Sequence, residues 1–322
     1  MKRQVAVQQV LVHSMKRIIF HWTKLLLVKI LFYLYNPLVK VLIVIVNYNG
    51  KHLLEKNLHS VVATEYPNFD IVVVDNDSVD GSVGFLKKEF PTVKIVESKK
   101  NLGFGRGNNL GVKNYPEYDA YLFLNNDVSV PKDWLGKLVD VLKSDERIGA
   151  VGPKVLYSKN VVGEKRVVNS AGIYVTKHFI GYDRYCDEED RSEFDVVEEV
   201  DALMGGASLI RKSVFDEVGG FSKKMFLYYE DIDLALRIKD LGYLVCYCGT
   251  SEVYHDHMAS SKSLGARKRN IMNVMNRFES LKSRKGIFIA VKETVWFLFH
   301  WLVWKIVFSK KMNLKEYFLK KE

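Results

Sequence analysis

A chain of 322 residues, 48% of them apolar, can bury a sizeable core, either as one large domain with appendages or as two domains. Its net charge of +10 is uneven: residues 1–40 carry seven Lys/Arg and no acid, residues 262–322 carry fifteen against four, and the body between them is net acidic. An acidic body with basic ends excludes a nucleic-acid groove across the body and favours ends that face an anionic surface.

The first predicted element, within residues 1–38, is the basic apolar run "RIIFHWTKLLLVKILFYLYNP". Lys24 and Lys29 interrupt it, so a helix lying in a membrane interface, with its lysines reaching the headgroups, fits better than a spanning one. No small-residue cleavage site follows, which argues against a secretory signal. Four short β-branched or aromatic runs come next, in "VKVLIVIVNYNG", "FDIVVVDNDSVDGS", "TVKIVES" and "YDAYLFL". They alternate with helical patterns in "KHLLEKNLHSVVATEY", "SVGFLKKEF", "GRGNNLGVKN" and "KDWLGKLVDVLKSD". This alternation predicts an α/β fold with a mainly parallel central sheet covered by helices on both faces. Ligands of such sheets bind beyond the carboxyl ends of the strands. Four polar clusters fall there: Asn47 to Gly50, Asp75 to Ser82, Asn101 to Asn109, and Asn125 to Asp127.

Beyond residue 150 the pattern changes. "RVVNSAGIYVT" and "FDVVEEVDALMGGASLI" read as strands of a smaller mixed sheet, with "DEEDRSEFD" an acidic surface loop between them. "YYEDIDLALRIKDLG" reads as a helix ended by Gly242, with Asp233 and Arg237 spaced for a surface pair. "YLVCYC" and "SEVYH" read as two short strands. The basic tail holds "GIFIAVKETVWFLFHWLVWKIVFSKK", in which Lys292, Glu293 and Lys305 bracket an apolar stretch too short to span. Three cysteines without a framework suggest reduced thiols, and Cys246 with Cys248 makes too small a set for zinc.

Each polar cluster has two readings. Asp75 and Asp77 offer acceptors for a ribose or base edge, or cap the following helix through an Asx-turn. "NLGFGRGNNLG" lacks the dinucleotide spacing, since Asn108 stands where the third glycine belongs, yet its glycines allow close backbone approach to a ligand. Arg106 meets a phosphate or lies solvated. Asp127 either starts a loop or holds a divalent ion that takes its other oxygens from phosphates and water. Glu230 and Asp231 either satisfy a helix dipole or supply a general base, with Tyr228 and Tyr229 lining an acceptor pocket. His255, near a strand end, suits a metal or a diphosphate contact.

The order of "VIVNYNG", "VVDNDSVDGS", "NLGFGRGNNLG", "LNNDV", "MGGASLIRK", "YYEDIDLALR" and "VYHDH" resembles the inverting family-2 glycosyltransferases of GT-A fold, in particular the rhamnosyltransferase-like group that builds cell-surface polysaccharides. The resemblance covers residues 40 to 262. It implies a catalytic domain over 39–262, flanked by the basic apolar segments 1–38 and 263–322. It implies that Asn47, Asp75 and Asp77 bind the nucleoside, and that Asn101, Gly103 and Asn109 line the nucleotide-sugar loop, beside Arg106. It places Asn125-Asn126-Asp127 on the family's Asp-x-Asp, with Asp127 and His255 toward Mg²⁺ or Mn²⁺ and a neutral amide where the first carboxylate belongs. Gly205 and Gly206 fall near the donor sugar and acceptor, and Asp231, beside Glu230, on the base position. The implied partners are a nucleotide-diphosphate sugar, a glycan or lipid-linked acceptor and the cytoplasmic face of an anionic membrane, with no nucleic acid. Two rival readings are a nucleotidyltransferase, for which the first strand lacks a Gly-rich, Lys-containing loop, and a non-catalytic glycan- or membrane-binding scaffold.

Overall fold

The computed structural model describes residues 38–159, 163–256, 265–308 and 314–319, so the expected segment 1–38 lies outside it but for Leu38. The first four expected strands form as β1 (Val41–Asn47), β2 (Phe69–Asp75), β3 (Lys94–Glu97) and β4 (Ala120–Asn125). β1 has Val or Ile at 41 and at 43–46 with Leu42 between, and residues 41–45 are fully buried, as a strand covered on both faces requires. β1 runs parallel to β2 and β4, and β2 parallel to β3. Their register levels the carboxyl ends: Asn47 lies opposite Asp75, Val46 opposite Asn125, and Asp75 opposite Glu97. All four polar clusters therefore open on one edge.

The intervening helices are α1 (Lys51–Val62), α2 (Ser82–Glu89), α3 (Phe104–Asn114) and α4 (Trp134–Ser144). α3 lies against the sheet through its glycines. A Cβ on Gly111 would stand 2.7 Å from Val44 Cγ1 and 2.9 Å from Val74 Cγ2. That glycine serves helix-to-sheet packing rather than a ligand.

The remaining strands are β5 (Val128–Ser129), β6 (Ile148–Tyr157), β7 (Val168–Ser170), β8 (Ile173–Val175), β9 (Gly181–Asp183), β10 (Val197–Glu199), β11 (Ala207–Arg211) and β12 (Leu244–His255). Among the described residues, a ten-stranded sheet runs β10-β12-β6-β11-β4-β1-β2-β3, with β5 on β12 and β7 on β6. β11 lies antiparallel between β4 and β6, which makes the sheet mixed. The smaller sheet is only the hairpin-like pair β8 and β9; β7, β10 and β11 have joined the main one. The two short strands expected at the end of the domain are one strand, β12, with its register broken between Cys248 and Glu252.

Two surface expectations are corrected. The acidic loop is anchored rather than merely solvated: buried Lys154 pairs with Asp190 at 2.9 Å, and Arg166 reaches Asp190 and Glu252 at 2.7 Å each. A buried ammonium needs such partners to offset its desolvation. Asp233 is buried, and Arg237 both pairs with it at 2.8 Å and binds the carbonyls of Val218 and Gly220.

After α5 (Lys212–Glu217) and α6 (Glu230–Asp240) come α7 (Ala266–Lys285), α8 (Ile287–Val303) and α9 (Leu314–Leu319). α8 packs inward with Ala290 and Glu293, the latter 2.6 Å from His178 Nδ1, while Trp296 stacks on the His178 ring. Its opposite face exposes Phe288, Val291, Val295, Phe299, Leu302 and, one turn on, Ile306. Glu293 thus points into the body and does not interrupt the apolar stripe. The helix from Ile287 to Ile306 is long and apolar enough to cross a membrane.

Candidate active site

The edge of β1 and β2 is built around Asn47. This fully buried amide accepts from Asn126 Nδ2 at 2.9 Å and donates to Ser82 Oγ at 3.0 Å. It also lies 3.4 Å from Asp75 Oδ2, and Asp75 Oδ1 accepts the Ser78 N–H at 2.9 Å. Asn47, Asp75 and Asn126 are therefore one network, and both Asx-turn bonding and a site edge occur together. Asp77 stands apart, exposed and in the left-handed region at φ 72°.

Asn76, not singled out in the sequence, fastens the next loop. Its amide donates to the Gly103 carbonyl at 3.1 Å and accepts from the Leu102 N–H at 3.3 Å. Asn101 Oδ1 accepts the Gly103 N–H at 2.9 Å. Gly103 has φ 79° and ψ −177°, a conformation essentially confined to glycine, and a Cβ there would stand 2.1 Å from the Phe226 carbonyl oxygen. This packing brings the 101–104 loop against the segment leading into α6. Arg106 Nε is spent on the Leu102 carbonyl. Asn109 uses both ends of its amide on the Phe221 backbone, at 2.8 and 3.0 Å, so it braces the same segment from α3.

At the end of β4 the Asn125 N–H donates to the Gly206 carbonyl at 3.0 Å, which joins the two expected loops directly. Asp127 is buried, with Oδ1 3.3 Å from His255 Nε2. The pairing of β5 with β12 brings them together, setting Val128 opposite His255. On the far side of the ring, His255 Nδ1 lies 2.8 Å from Asn169 Oδ1, an acceptor. With Nδ1 turned to Asn169, Nε2 is the ring nitrogen that faces the carboxylate. Two such donors at this spacing suit adjacent positions around a divalent cation. Among the described residues no cluster of three or more His, Cys, Asp or Glu gathers to hold a metal. The protein thus offers a two-donor set and leaves further positions to phosphate and water oxygens.

The second centre is the start of α6. Tyr228 and Tyr229 precede it, both left-handed at φ 72° and 68°, and buried Tyr229 donates its hydroxyl to the Phe179 carbonyl at 2.7 Å. Two bulky residues in that region store strain, offset here by the hydrogen bonds that Asn276 gives to the Leu227 and Tyr228 carbonyls. Asp231 remains partly accessible, and its Oδ2 accepts the Gly205 N–H at 3.0 Å. Burial raises its carboxyl above the ordinary range, while the N–H groups of Gly205 and Ile232 oppose the rise. Glu230 is buried beneath, its Oε2 without a hydrogen-bond partner among the described residues. Burial, and then the Asp231 charge, push it up to about 8.

A third carboxylate, Asp183 on β9, completes this centre. Its Oδ1 is buried without a partner among the described residues. Burial lifts the carboxyl to about 6; Asp231 adds to the rise, whereas the Ser170 hydroxyl, Lys315 and His255 oppose it. Asp183 is therefore within electrostatic reach of both Asp231 and His255. Nothing in "IGYDRYC" signals this, because the β8–β9 pair reaches the site by long-range packing.

The chain is similar to known proteins in sequence and in fold. The model of Glycosyl transferase family 2 matches residues 42–219. An N-acetylglucosaminyl-diphospho-decaprenol L-rhamnosyltransferase of Mycobacterium tuberculosis (strain CDC 1551 / Oshkosh) is 29% identical over 236 residues, 68% of this chain and 76% of that protein. Two solved structures share the fold at 17% identity. One is GalNAc-T7 with UDP, GalNAc and Mn²⁺, with a TM-score of 0.60 over 77% of this chain and 48% of that one. The other is the mannosyltransferase PcManGT of Pyrobaculum calidifontis with GDP-Man and Mn²⁺, with a TM-score of 0.55 over 80% and 74%.

Proposed function

Because the chain belongs to glycosyltransferase family 2, we propose that it transfers a sugar, in a metal-assisted inverting step, from a nucleoside diphosphate to a hydroxyl of a lipid-linked acceptor on the cytoplasmic face of a membrane. The observation that carries this reading is the pairing of two centres on one sheet edge. The Asp127–His255 donor pair suits a diphosphate-bound cation, and Asp231, tied to Gly205, suits an attacking hydroxyl.

The residues divide the work as follows. The Asn47–Asp75–Asn126 network holds the nucleoside, and the 101–104 loop closes against it. Asp127 and His255 would hold Mn²⁺ or Mg²⁺, which when bound would supply positive charge to the departing diphosphate. An imidazole among the donors favours the softer Mn²⁺. Asp231 takes the proton of the acceptor hydroxyl as that oxygen attacks the anomeric carbon, and its raised pKa makes it a better base than an ordinary Asp. Glu230, held protonated near neutral pH, leaves Asp231 as the charged member of the pair. Asp183 carries a buried oxygen without a partner among the described residues, which a hydroxyl of the bound sugar would satisfy.

The acceptor class draws support from two sources. The mycobacterial relative is named for a diphospho-decaprenol acceptor, and α8 exposes an apolar stripe beside the body. The expected products are a nucleoside diphosphate and a glycoside; release of pyrophosphate instead would restore the nucleotidyltransferase reading. Chelation should abolish transfer, with Mn²⁺ restoring more activity than Mg²⁺. Full turnover in excess chelator would remove the cation from Asp127 and His255.

A further inference from the structure

A cavity of about 490 Å³ lies between the start of α6, β9 and the three C-terminal helices. We propose that it receives the hydrocarbon chain of the lipid-linked acceptor, an assignment that rests on the transferase reading above. Its floor is Gly181, Tyr229 and Ile232, and its walls include Val274 of α7 with Leu298 and Trp301 of α8. Tyr229 and Ile232 flank Glu230-Asp231 directly in the chain, and Gly181 stands two residues before Asp183. A molecule in this cavity therefore abuts the chain segments that carry the carboxylates of the transfer centre, though Glu230, Asp231 and Asp183 do not themselves line it.

The lining excludes a sugar as the occupant. Its surface is mostly apolar, with Asn270, Asn273 and Arg277 as the polar side chains of α7, too few to replace the water that a sugar's hydroxyls would lose. The mouth points to the membrane. Ile271, Met275 and Leu298 line the cavity and are also 49%, 63% and 46% exposed. Leu298 belongs to α8, whose outer face carries the apolar stripe, so one continuous apolar surface runs from that stripe into the cavity. A chain partly withdrawn from a bilayer along α8 would stay in apolar surroundings throughout.

Charge fits the same occupant. Arg277 lines the cavity at 4% exposure, and its Nη1 lacks a hydrogen-bond partner among the described residues. A buried guanidinium beside a hydrocarbon channel suits an amphiphile whose anionic phosphate follows its chain. The Arg277 Nε and Nη2 are already spent on the carbonyls of His178, Phe179 and Glu293, so Nη1 is the nitrogen it offers to such a phosphate, and a purely apolar occupant would leave that nitrogen unpaired.

The test uses the full chain with n-octyl and n-decyl phosphate below their micelle concentrations, with binding read by calorimetry. If the chain is buried, two added methylenes tighten binding about fifteenfold, at about fourfold each. A decyl phosphate bearing a diazirine at the chain end should label Val274 or Trp301. Val274→Trp, which fills the cavity, should abolish the chain-length dependence and the labelling. Should that variant fail to unfold cooperatively, Leu298→Trp closes the cavity from the opposite wall. A thermal shift by UDP, GDP or dTDP, measured in the same samples, tests the transferase reading separately and should be unchanged in the variants. Labels confined to Phe288 and Phe299, equal affinity for both phosphates, or undiminished binding in both filled variants would overturn the assignment even with the nucleotide shift intact. Loss of the nucleotide shift in the unaltered protein would instead overturn the transferase reading.

Discussion

Asp231 and Glu230 are adjacent carboxylates in different surroundings, and the difference predicts different mutants. Asp231→Asn removes the proposed base and should lower kcat by at least about a hundredfold, with nucleotide affinity nearly unchanged. Glu230→Gln replaces a group already protonated near neutral pH with its neutral isostere, so kcat should stay within a few-fold. Equal losses in both would show that the pair acts as one ionised unit. Stability follows a definite sign. Glu230 is raised in the fold, so between the ordinary Glu range and about 8 the unfolded chain loses a proton that the folded chain keeps. Stability is therefore full below the ordinary range and lost as pH rises toward 8. Melting temperatures of Glu230→Gln should fall less over that interval than those of the unaltered protein, and parallel curves would contradict the assignment. The sequence made the Glu230-Asp231 pair legible, since acidic residues before a helical pattern stand out. It left Asp183 and Asn76 illegible: one arrives on a three-residue strand, and the other hides within an ordinary Asx-rich turn.

At the level of elements, the 101–104 loop depends on one backbone conformation. Gly103→Ala meets both strain and the Phe226 carbonyl, and should cost about 2–4 kcal/mol with weaker nucleotide binding. Gly81, at φ 82°, has open space around its would-be Cβ, so Gly81→Ala should cost only about 1 kcal/mol. Urea denaturation of the two variants measures the difference; equal midpoints would show that the carbonyl moves aside freely. The βαβ half was readable because buried parallel strands are continuous β-branched runs and their helices keep a clear period. The second half was not. β7, β10 and β11 are three to five residues long, and only long-range pairing places them in the main sheet. β12 looked like two strands because Gly249 and Thr250 interrupt its pattern where the register breaks.

For the whole molecule, charge and apolar surface together predict how the enzyme meets its substrate. The tail beyond residue 262 is strongly basic, and each Lys or Arg near an anionic surface contributes about 1 kcal/mol at low salt. The α8 stripe adds a contribution insensitive to salt, since Phe288 and Phe299 are 89% and 62% exposed and each gives about 1.5–3 kcal/mol when buried in lipid. Flotation with anionic vesicles should therefore weaken as salt rises without vanishing. The double variant Phe288→Glu with Phe299→Glu should remain at the bottom of the gradient in high salt. Neither side chain belongs to the carboxylate centres, so the variant should still bind nucleoside diphosphate and transfer sugar to a short, water-soluble acceptor. Activity toward vesicle-borne acceptor should fall with flotation, because the proposed apolar route for the acceptor begins on the same helix. A double variant that floats like the parent would move the attachment to residues 1–38, whose sequence is also basic and apolar. One that floats poorly yet uses vesicle-borne acceptor normally would separate attachment from acceptor entry, and the stripe would then serve the first alone.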